Sequence, residues 1–217
     1  PEPKPEPKPE PENSYALGGN VEFRLNNDTK MEVTKISTRN LVVDEDIPDA
    51  DKKEDLVAYR MIDTYSSGTK FRFYITADEE SYIYAFATDL TGKVNLLLPF
   101  DDLISTHIGA NSVVAFPSDK KVIKMDNQKG TDYMLILYSK QKLDAAQIAA
   151  TMSGMSGSLS KKIKAALGDK LIEKDKIKYD PEQPGFKVPG KKGTRNLNVA
   201  DDDDNETPGG TVVPLMI

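Results

Sequence analysis

Apolar residues alternate with polar ones along much of this chain, and a period of two is typical of half-buried β-strands. Residues 21–25 show it first, with valine, phenylalanine and leucine separated by a glutamate and an arginine, and residues 71–76 repeat it. Each of these strands should turn one face to a core and the other to water. Further short strands are predicted at 31–35, 56–62, 113–116 and 121–125.

Two segments, residues 82–87 and 133–138, are apolar on both faces, which is typical of strands covered on both sides. The first is followed by an Asp/Thr/Gly turn and a further apolar segment, 94–98, so we predict a β-hairpin. Gly92 is expected to supply a positive φ in that turn. Pro117 places strand 113–116 near an edge or a strand end.

The period changes after residue 142. Leucine, alanine and methionine recur at helical spacing over residues 143–152, with Asp144 as the expected N-cap. A Ser/Gly/Met segment follows, and then a second helix is predicted over 159–167, ending at Gly168. Its apolar residues share one face, and the lysines at 161, 162 and 164 are expected on the opposite, wet face.

Proline, glycine and charged residues dominate from residue 180 onward. A short strand is predicted at 197–199 and a final one at 211–217, interrupted by Pro214. Together these elements predict a mostly β fold: an antiparallel β-sandwich, Ig-like in architecture, with a short helical insertion after the main strands. A partly open barrel is the alternative, and the sequence leaves open whether strand 211–217 completes this domain.

Every odd position of residues 1–12 is proline, and charged residues fill the even ones. Proline excludes helix and sheet, so we expect a polyproline II spacer about 37 Å long. Residues 1–13 are therefore a linker and 14–217 a β-sandwich module. Within that module we place the main strands at 56–143, the helical insertion at 144–172 and a C-terminal extension at 173–217.

The chain starts neither with methionine nor with a signal peptide, so we expect a fragment or a processed chain whose upstream part is missing. The Pro-Glu/Pro-Lys repeats resemble, in composition, the periplasm-spanning linkers of energy-transducing envelope proteins. A generic linker between two domains is the alternative interpretation.

The amino-acid composition of the chain argues against several classes of protein. The net charge is −6, which argues against a general nucleic-acid binder, because such proteins carry a basic footprint. The absence of cysteine excludes disulfides, cysteine-ligated zinc, iron–sulfur clusters and thiol catalysis. No apolar run reaches about 18 residues, so we predict no membrane span in this segment.

A family resemblance extends from about residue 56 to 143. The motifs that carry it are Val57-Ala-Tyr-Arg60, Gly68-Thr-Lys-Phe-Arg-Phe73, Tyr82-Ile-Tyr-Ala-Phe86, Asp89, Thr91-Gly-Lys93, Leu97-Leu-Pro99 and Gly130-Thr-Asp-Tyr-Met-Leu135. In these motifs the chain resembles the domain of unknown function 4384 family of bacterial proteins. It departs from the family pattern at Phe100, which follows Pro99 where the family usually has Pro-Asn after its Leu-Leu run.

The resemblance implies a β-rich accessory domain on the C-terminal side of a larger protein. Some members follow caspase-like peptidase or protein kinase domains, and others belong to envelope proteins of Bacteroidota-like bacteria. No catalytic residues are established for the family, so the resemblance supplies none here.

The chemistry-bearing residues give only weak signals. His107 is the one histidine, so any Ser/His/Asp triad would have to use it, and no Gly-x-Ser-x-Gly elbow accompanies it. Asp101 and Asp102 are adjacent, and in a strand their carboxylates would point in opposite directions, which is unsuitable for a glycosidase pair. Gly154-x-x-Gly157 followed by Lys161 lacks the phosphate-binding P-loop spacing.

Three further groups have a functional and a simpler interpretation. The acidic run 201–206 offers oxygen ligands for calcium, but it lacks the EF-hand register, so a solvated turn is favoured.

The tyrosines at 65, 74, 82 and 84 would suit a carbohydrate- or peptide-binding surface, although strands select aromatic residues for packing. Seven lysines would suit an anionic membrane or an acidic partner, although a helix ordinarily keeps lysines on its wet face. They are the lysines at 161, 162, 164, 170, 174, 176 and 178.

We therefore predict a non-enzymatic accessory interaction or assembly module of a bacterial cell-envelope protein, extracytoplasmic and tethered by the proline spacer. No catalytic, cofactor-binding or metal-binding residue is assigned, and no cofactor is expected. The expected partner is another protein or an envelope component, not nucleic acid, and the oligomeric state is left open. The alternative is a regulatory or sensor domain appended to a peptidase or kinase.

Overall fold

Short strands dominate the computed structural model, which describes residues 15–37, 56–101, 103–118, 120–190 and 210–217. Thirteen strands and two α-helices form within these ranges, together with single 3-10 turns at Gly168–Lys170 and Lys174–Lys176. In chain order the elements are β1 (Tyr15–Leu25), β2 (Val33–Ser37), β3 (Val57–Met61), β4 (Lys70–Ala77), β5 (Ser81–Thr88), β6 (Asn95–Leu98), β7 (His107–Ile108), β8 (Ser112–Phe116), β9 (Ile123–Lys124), β10 (Tyr133–Ser139), α1 (Ala145–Ser153), α2 (Leu159–Leu167), β11 (Lys178–Tyr179), β12 (Gly185–Pro189) and β13 (Val212–Met216).

The strands pair into two sheets. Sheet A has the order β11-β12-β1-β4-β8, and β9 pairs with β4 beyond the end of β8. Its register places Phe23 opposite Phe73 and Phe73 opposite Phe116, so the aromatic residues of three neighbouring strands share the inner face. The alternation read from the sequence therefore corresponds to one buried and one outer face of this sheet.

Sheet B has the order β2-β3-β13-β10-β5-β6, with β7 also paired to β5. Its pairs are antiparallel except for β13 and β3, which run parallel. Strand β13 lies inside the sheet, with Pro214 opposite Leu137, so the prediction that Pro214 interrupts this strand is wrong. The final strand belongs to this sandwich, which answers the question that the sequence left open.

Two apolar layers account for the strands that are covered on both faces. One layer fills the space between the two sheets, and the other lies between sheet B and the helices. In β5, Ile83 and Ala85 enter the first layer, whereas Tyr84 and Phe86 enter the second. The predicted β-sandwich with a helical insertion is confirmed, and the helices form a third layer over the outer face of sheet B.

The β5–β6 hairpin forms as predicted, with a register shift beside Ala85. The positive φ in its turn belongs to Leu90 (φ 65°) and not to Gly92, so that detail of the prediction is wrong. Side chains stabilise the turn instead: Thr88 Oγ1 accepts the Leu90 N–H, and the Asp89 carboxylate accepts the N–H and hydroxyl of Thr91. These hydrogen bonds from Thr91 lower the pKa of Asp89 below its usual range.

Both helices form where they were predicted, and α1 extends one residue beyond the predicted end, to Ser153. The Asp144 carboxylate accepts the Gln147 N–H at 2.9 Å, which makes it the N-cap of α1. Helix α2 is capped by Ser158 and ends at Gly168, which has a φ of 51°. The predicted linker at 1–13 and the predicted strand at 197–199 lie outside the described residues. Residues 44–55, which are acidic and contain Pro48 and therefore predict an exposed loop, lie outside them as well.

Candidate functional site

Strand β8 ends sheet A on one side. Its register pairs it with β4, and no other strand of the described residues lies against its outer edge. Its sequence, Ser112-Val-Val-Ala-Phe116, contains no charge, no proline and no glycine. Natural proteins usually protect edge strands with charges, prolines or bulges, because unpaired backbone groups bind other chains. This edge has none of those protections inside the strand.

Exposed apolar side chains lie on both sides of β8. Val113 is 62% exposed and lies opposite Thr76, on the outer face of the sheet. On the core side, the ring of Phe100, 55% exposed, meets the ring of Phe116 edge-on, with centroids 6.2 Å apart. Leu103, three residues further along the same loop, is 93% exposed. Large exposed apolar groups gathered at one place on a protein are typical of interaction sites.

Acidic residues lie beside the first residue of β8. Strand β4 ends at Ala77, directly opposite Ser112, and the sequence then continues as Asp78-Glu79-Glu80. The Asn111 N–H donates to the Asp78 carbonyl at 3.3 Å, which holds this acidic turn against the start of β8.

Lysines lie beyond the last residue of β8. Lys120 and Lys121 follow it and are exposed, and the main chain of Lys121 forms an isolated antiparallel β-bridge with Ser118. Strand β9 adds Lys124, which lies opposite Lys70 of β4. The edge therefore runs from an acidic end, through an uncharged strand, to a lysine-rich end.

The outer face of sheet A carries pairs of like charge. Directly opposite residues include Arg24 with Arg72, Lys70 with Lys124, and Lys178 with Lys187. Such pairs are destabilising in isolation, although Arg24 is compensated by Glu22 and by the ring of Tyr74, 5.6 Å from its guanidinium carbon. This face is basic on a chain that is acidic overall.

The tyrosines proposed as a binding surface are not gathered on one. Tyr84 is buried and its hydroxyl accepts the Leu143 N–H at 2.8 Å, so it positions the start of the helical layer. Tyr82 is half-buried against His107, Tyr74 lies beneath Arg24, and Tyr65 packs against the inter-sheet core. Packing within the fold therefore explains these four tyrosines, as the simpler of the two interpretations predicted.

Three other tyrosines connect the two sheets. Tyr138 of β10 donates its hydroxyl to the carbonyls of Asn20 and Thr76, at 2.9 and 3.1 Å. Tyr59 of β3 donates to the carbonyls of Asp180 and Gly185, and Tyr179 of β11 donates to that of Pro214. Burial raises the pKa of Tyr59 to about 12 and raises those of Tyr138 and Tyr179 as well. Sequence periodicity gave no signal for these contacts, because it reports the face of a residue and not the partner of its hydroxyl.

His107 lies on the two-residue strand β7, with its side chain exposed. Its Nε2 is 2.7 Å from Glu80 Oε1, and its ring lies 4.8 Å from that of Tyr82. Ser105 accepts the backbone N–H of His107 and makes no bond to the ring. A carboxylate therefore accompanies the histidine, but the described residues place no serine beside it as a nucleophile.

The lysines of α2 depart from the prediction at one position. Lys162 is 1% exposed, so placing it on the wet face is wrong. Its Nζ has no hydrogen-bond partner among the described residues, and its charge is among the causes that lower the pKa of Asp89. Helix α2 packs against α1, and its buried residues Leu159, Ile163 and Leu167 join the apolar layer over sheet B. The other lysines of the group are half-buried or exposed.

A polar cleft of about 270 Å³ lies between β1, β11 and β12. Asp78, Lys178, Lys187 and Gln183 contribute to its lining, together with Asp180. The Asp180 carboxylate already accepts the backbone N–H groups of Glu182 and Gln183, so it stabilises its own turn.

Among the described residues no group of three histidine or acidic side chains is arranged to hold a metal ion. The acidic run 201–206 and Asp102 lie outside them. The loop from Gly154 to Gly157 connects the two helices, and its Ser158 caps α2 by accepting the Lys161 N–H. A search of the described residues for a helix able to cross a membrane found none of sufficient length and hydrophobicity.

Comparison with known proteins assigns the central part of the chain. Residues 64–142 match the family model described as Domain of unknown function (DUF4384), close to the expected 56–143. No curated protein and no solved structure matches the chain. The matched segment runs from the loop before β4 to the residue before Leu143 and carries the hairpin with its Asp89 turn. Residues 64–142 of this chain therefore match a DUF4384 domain, and this assignment covers only that segment.

Proposed function

We propose that this chain is a non-enzymatic interaction and assembly module that binds another polypeptide along the edge strand β8. The observation that carries the proposal is an uncharged strand whose outer edge meets no other strand of the described residues, flanked by the exposed side chains of Val113 and Phe100. Leu103, in the same loop as Phe100, is also exposed. An added strand would gain main-chain hydrogen bonds from β8, and the exposed apolar side chains would give it contacts on both faces. The tyrosines, by contrast, have internal partners.

We further propose an extracytoplasmic setting, in the envelope of a bacterium, with the partner being another protein or an envelope component. The Pro-Glu/Pro-Lys run at 1–12 supports this, because a stiff, charged spacer keeps a module at a distance from its attachment point. The alternative is a regulatory or sensor domain of a peptidase or kinase. Coding sequence upstream of Pro1 distinguishes the two: a lipoprotein signal or membrane anchor favours the first, and a catalytic domain favours the second.

The interaction itself is tested by site-specific photo-crosslinking in cells that naturally produce the protein. A photoreactive phenylalanine analogue replaces Leu103 in one variant and Ala165, an exposed residue of α2, in a matched control. We expect a discrete covalent adduct from position 103 and none of that mass from position 165. Absence of an adduct at 103, or the same adducts from both positions, would contradict binding at this edge.

A further inference from the structure

We propose that the polypeptide bound at β8 is a second copy of this chain, with the two β8 strands antiparallel about a twofold axis. The inference rests on the proposed function, because it names the partner of the same edge. Antiparallel pairing of one strand with itself is self-complementary, so a single surface suffices for a closed dimer. The dimer would join two copies of sheet A into one continuous sheet.

The distribution of charge along the edge favours this partner. Glu79 and Glu80 follow the end of β4 that lies opposite the start of β8, and Lys120, Lys121 and Lys124 lie beyond the end of β8. The Asp78 carboxylate lies on the other side of β4, at the cleft beside β1. An antiparallel twofold brings the start of one strand beside the end of the other. The acidic end of each copy therefore meets the lysine-rich end of its partner, and this happens twice in the dimer. Complementary potentials of this kind select the partner and fix the register.

The middle of the strand is equally compatible with self-pairing. With Val114 at the twofold axis, Val113 of one copy lies opposite Ala115 of the other, and Ser112 lies opposite Phe116. None of these residues is charged, so the pairing brings no like charges together. On the core side, the exposed ring of Phe100, which contacts Phe116, is available to cover the edge of the joint.

The size of the contact sets the expected affinity. Strand β8 has five residues, so it extends about 17 Å. A pairing of this length with a few flanking side chains buries less than the roughly 800 Å² per partner that is typical of stable complexes. We therefore expect a dissociation constant in the range of about 1 to 100 μM.

The test measures the mass of the full 217-residue chain by sedimentation velocity across that concentration range. The unmodified chain should pass from monomer to dimer. Three variants should remain monomeric, because each introduces charge repulsion at the joint: Val113→Lys, the pair Lys120→Glu with Lys121→Glu, and the pair Glu79→Lys with Glu80→Lys. A matched control, Lys161→Glu with Lys170→Glu, changes the same charge on the helical side and should dimerise normally.

Mixing the two charge-reversed proteins gives the decisive result. The protein with Lys120→Glu and Lys121→Glu presents acids at both ends of β8, and the protein with Glu79→Lys and Glu80→Lys presents lysines at both ends. A mixed dimer should therefore form although neither protein dimerises alone. Restored association cannot come from a variant that merely fails to fold.

Two results would overturn the inference: a monomer at every concentration, or a dimer that is unaffected by Val113→Lys and by charge reversal. If the monomeric result accompanies a crosslink from position 103 to a different protein, the edge binds another partner and only this inference fails. If position 103 gives no adduct either, the proposed function fails with it.

Discussion

At the residue scale, the two sheets are joined by hydroxyl groups as well as by apolar packing. Tyr59, Tyr138 and Tyr179 each cross from one sheet to a main-chain carbonyl of the other. A carbonyl buried without a donor costs free energy, so each of these bonds also supplies a donor to the carbonyl that it reaches.

Replacing Tyr138 with phenylalanine should lower the free energy of unfolding by about 1–3 kcal/mol, since it leaves two buried carbonyls without this donor. The ring would keep its edge-on contact with Phe186, so the loss isolates the hydroxyl. Urea unfolding measures it. Tyr133→Phe, at a half-buried position on the same strand, is the control and should change stability by less than about 0.5 kcal/mol.

The same tyrosines predict alkaline instability. Their pKa values in the folded state lie above the ordinary value of about 10, so the folded chain holds protons that the unfolded chain releases. Stability should therefore be complete below about pH 10 and fall as the pH rises toward 12, the value for Tyr59. Urea midpoints and tyrosinate absorbance measured together check this. A midpoint that stays constant over that interval would contradict it.

Lys162 is buried and its Nζ has no hydrogen-bond partner within the described ranges, and burying such an amino group costs more free energy than burying an apolar side chain of similar length. Lys162→Met should therefore raise the free energy of unfolding by about 1–3 kcal/mol. The neighbouring Lys161→Met, on the exposed side of α2, should change it by less than about 0.5 kcal/mol. Destabilisation by Lys162→Met would mean that the ammonium group has a stabilising role.

At the scale of elements, the sequence predicted what depends on periodicity. The two-faced strands β5 and β10 were recognisable because both of their faces are apolar, and each face meets its own apolar layer. The errors concern local conformation and pairing. Leu90 takes the positive φ because the side chains of Thr88 and Asp89 stabilise the turn, and Pro214 is accommodated inside β13. Periodicity carries neither kind of information.

Gly19 shows how closely β1 approaches its neighbours. A Cβ at this position would lie 2.3 Å from the Thr76 carbonyl oxygen and 2.6 Å from the Tyr138 ring. Gly19→Ala should therefore destabilise the protein by about 1–3 kcal/mol, through overpacking of a site that holds main chain. Gly92→Ala, where a Cβ meets nothing within 4 Å, is the control, and the two are compared by thermal unfolding.

The candidate site was only partly visible in the sequence. Pro117 correctly placed strand 113–116 near an edge. Which strand covers which edge depends on contacts between distant segments. Within the part of the chain that the structure describes, β10 is covered by β13 and the outer edge of β8 meets no strand. The acidic end of the edge follows β4 and the lysine-rich end follows β8, so their alignment emerges only from the pairing of those strands.

At the scale of the whole molecule, the family segment is an incomplete sandwich. Residues 64–142 supply β4 through β10, but β4 pairs with β1 and β10 pairs with β13, both from outside the segment. A fragment of residues 64–142 should therefore fail to fold, because it would leave two long strand edges and one face of sheet B uncovered. Circular dichroism and amide exchange, compared with the full chain, check this. Cooperative unfolding of the fragment would contradict it.

The central position of β13 in sheet B also determines when this sheet can be completed during synthesis of the chain. Met61, the last residue of β3, and Met216, the last residue of β13, are 155 positions apart, and sheet B joins these two strands directly. At typical elongation rates of about 5–20 residues per second, roughly 8–30 s separate their appearance at the ribosome. The edge of β3 that pairs with β13 lacks this partner throughout that interval, and the edge of β10 lacks it from the synthesis of β10 onward. Exposed strand edges bind other chains, so we expect this protein to depend on chaperones until β13 emerges.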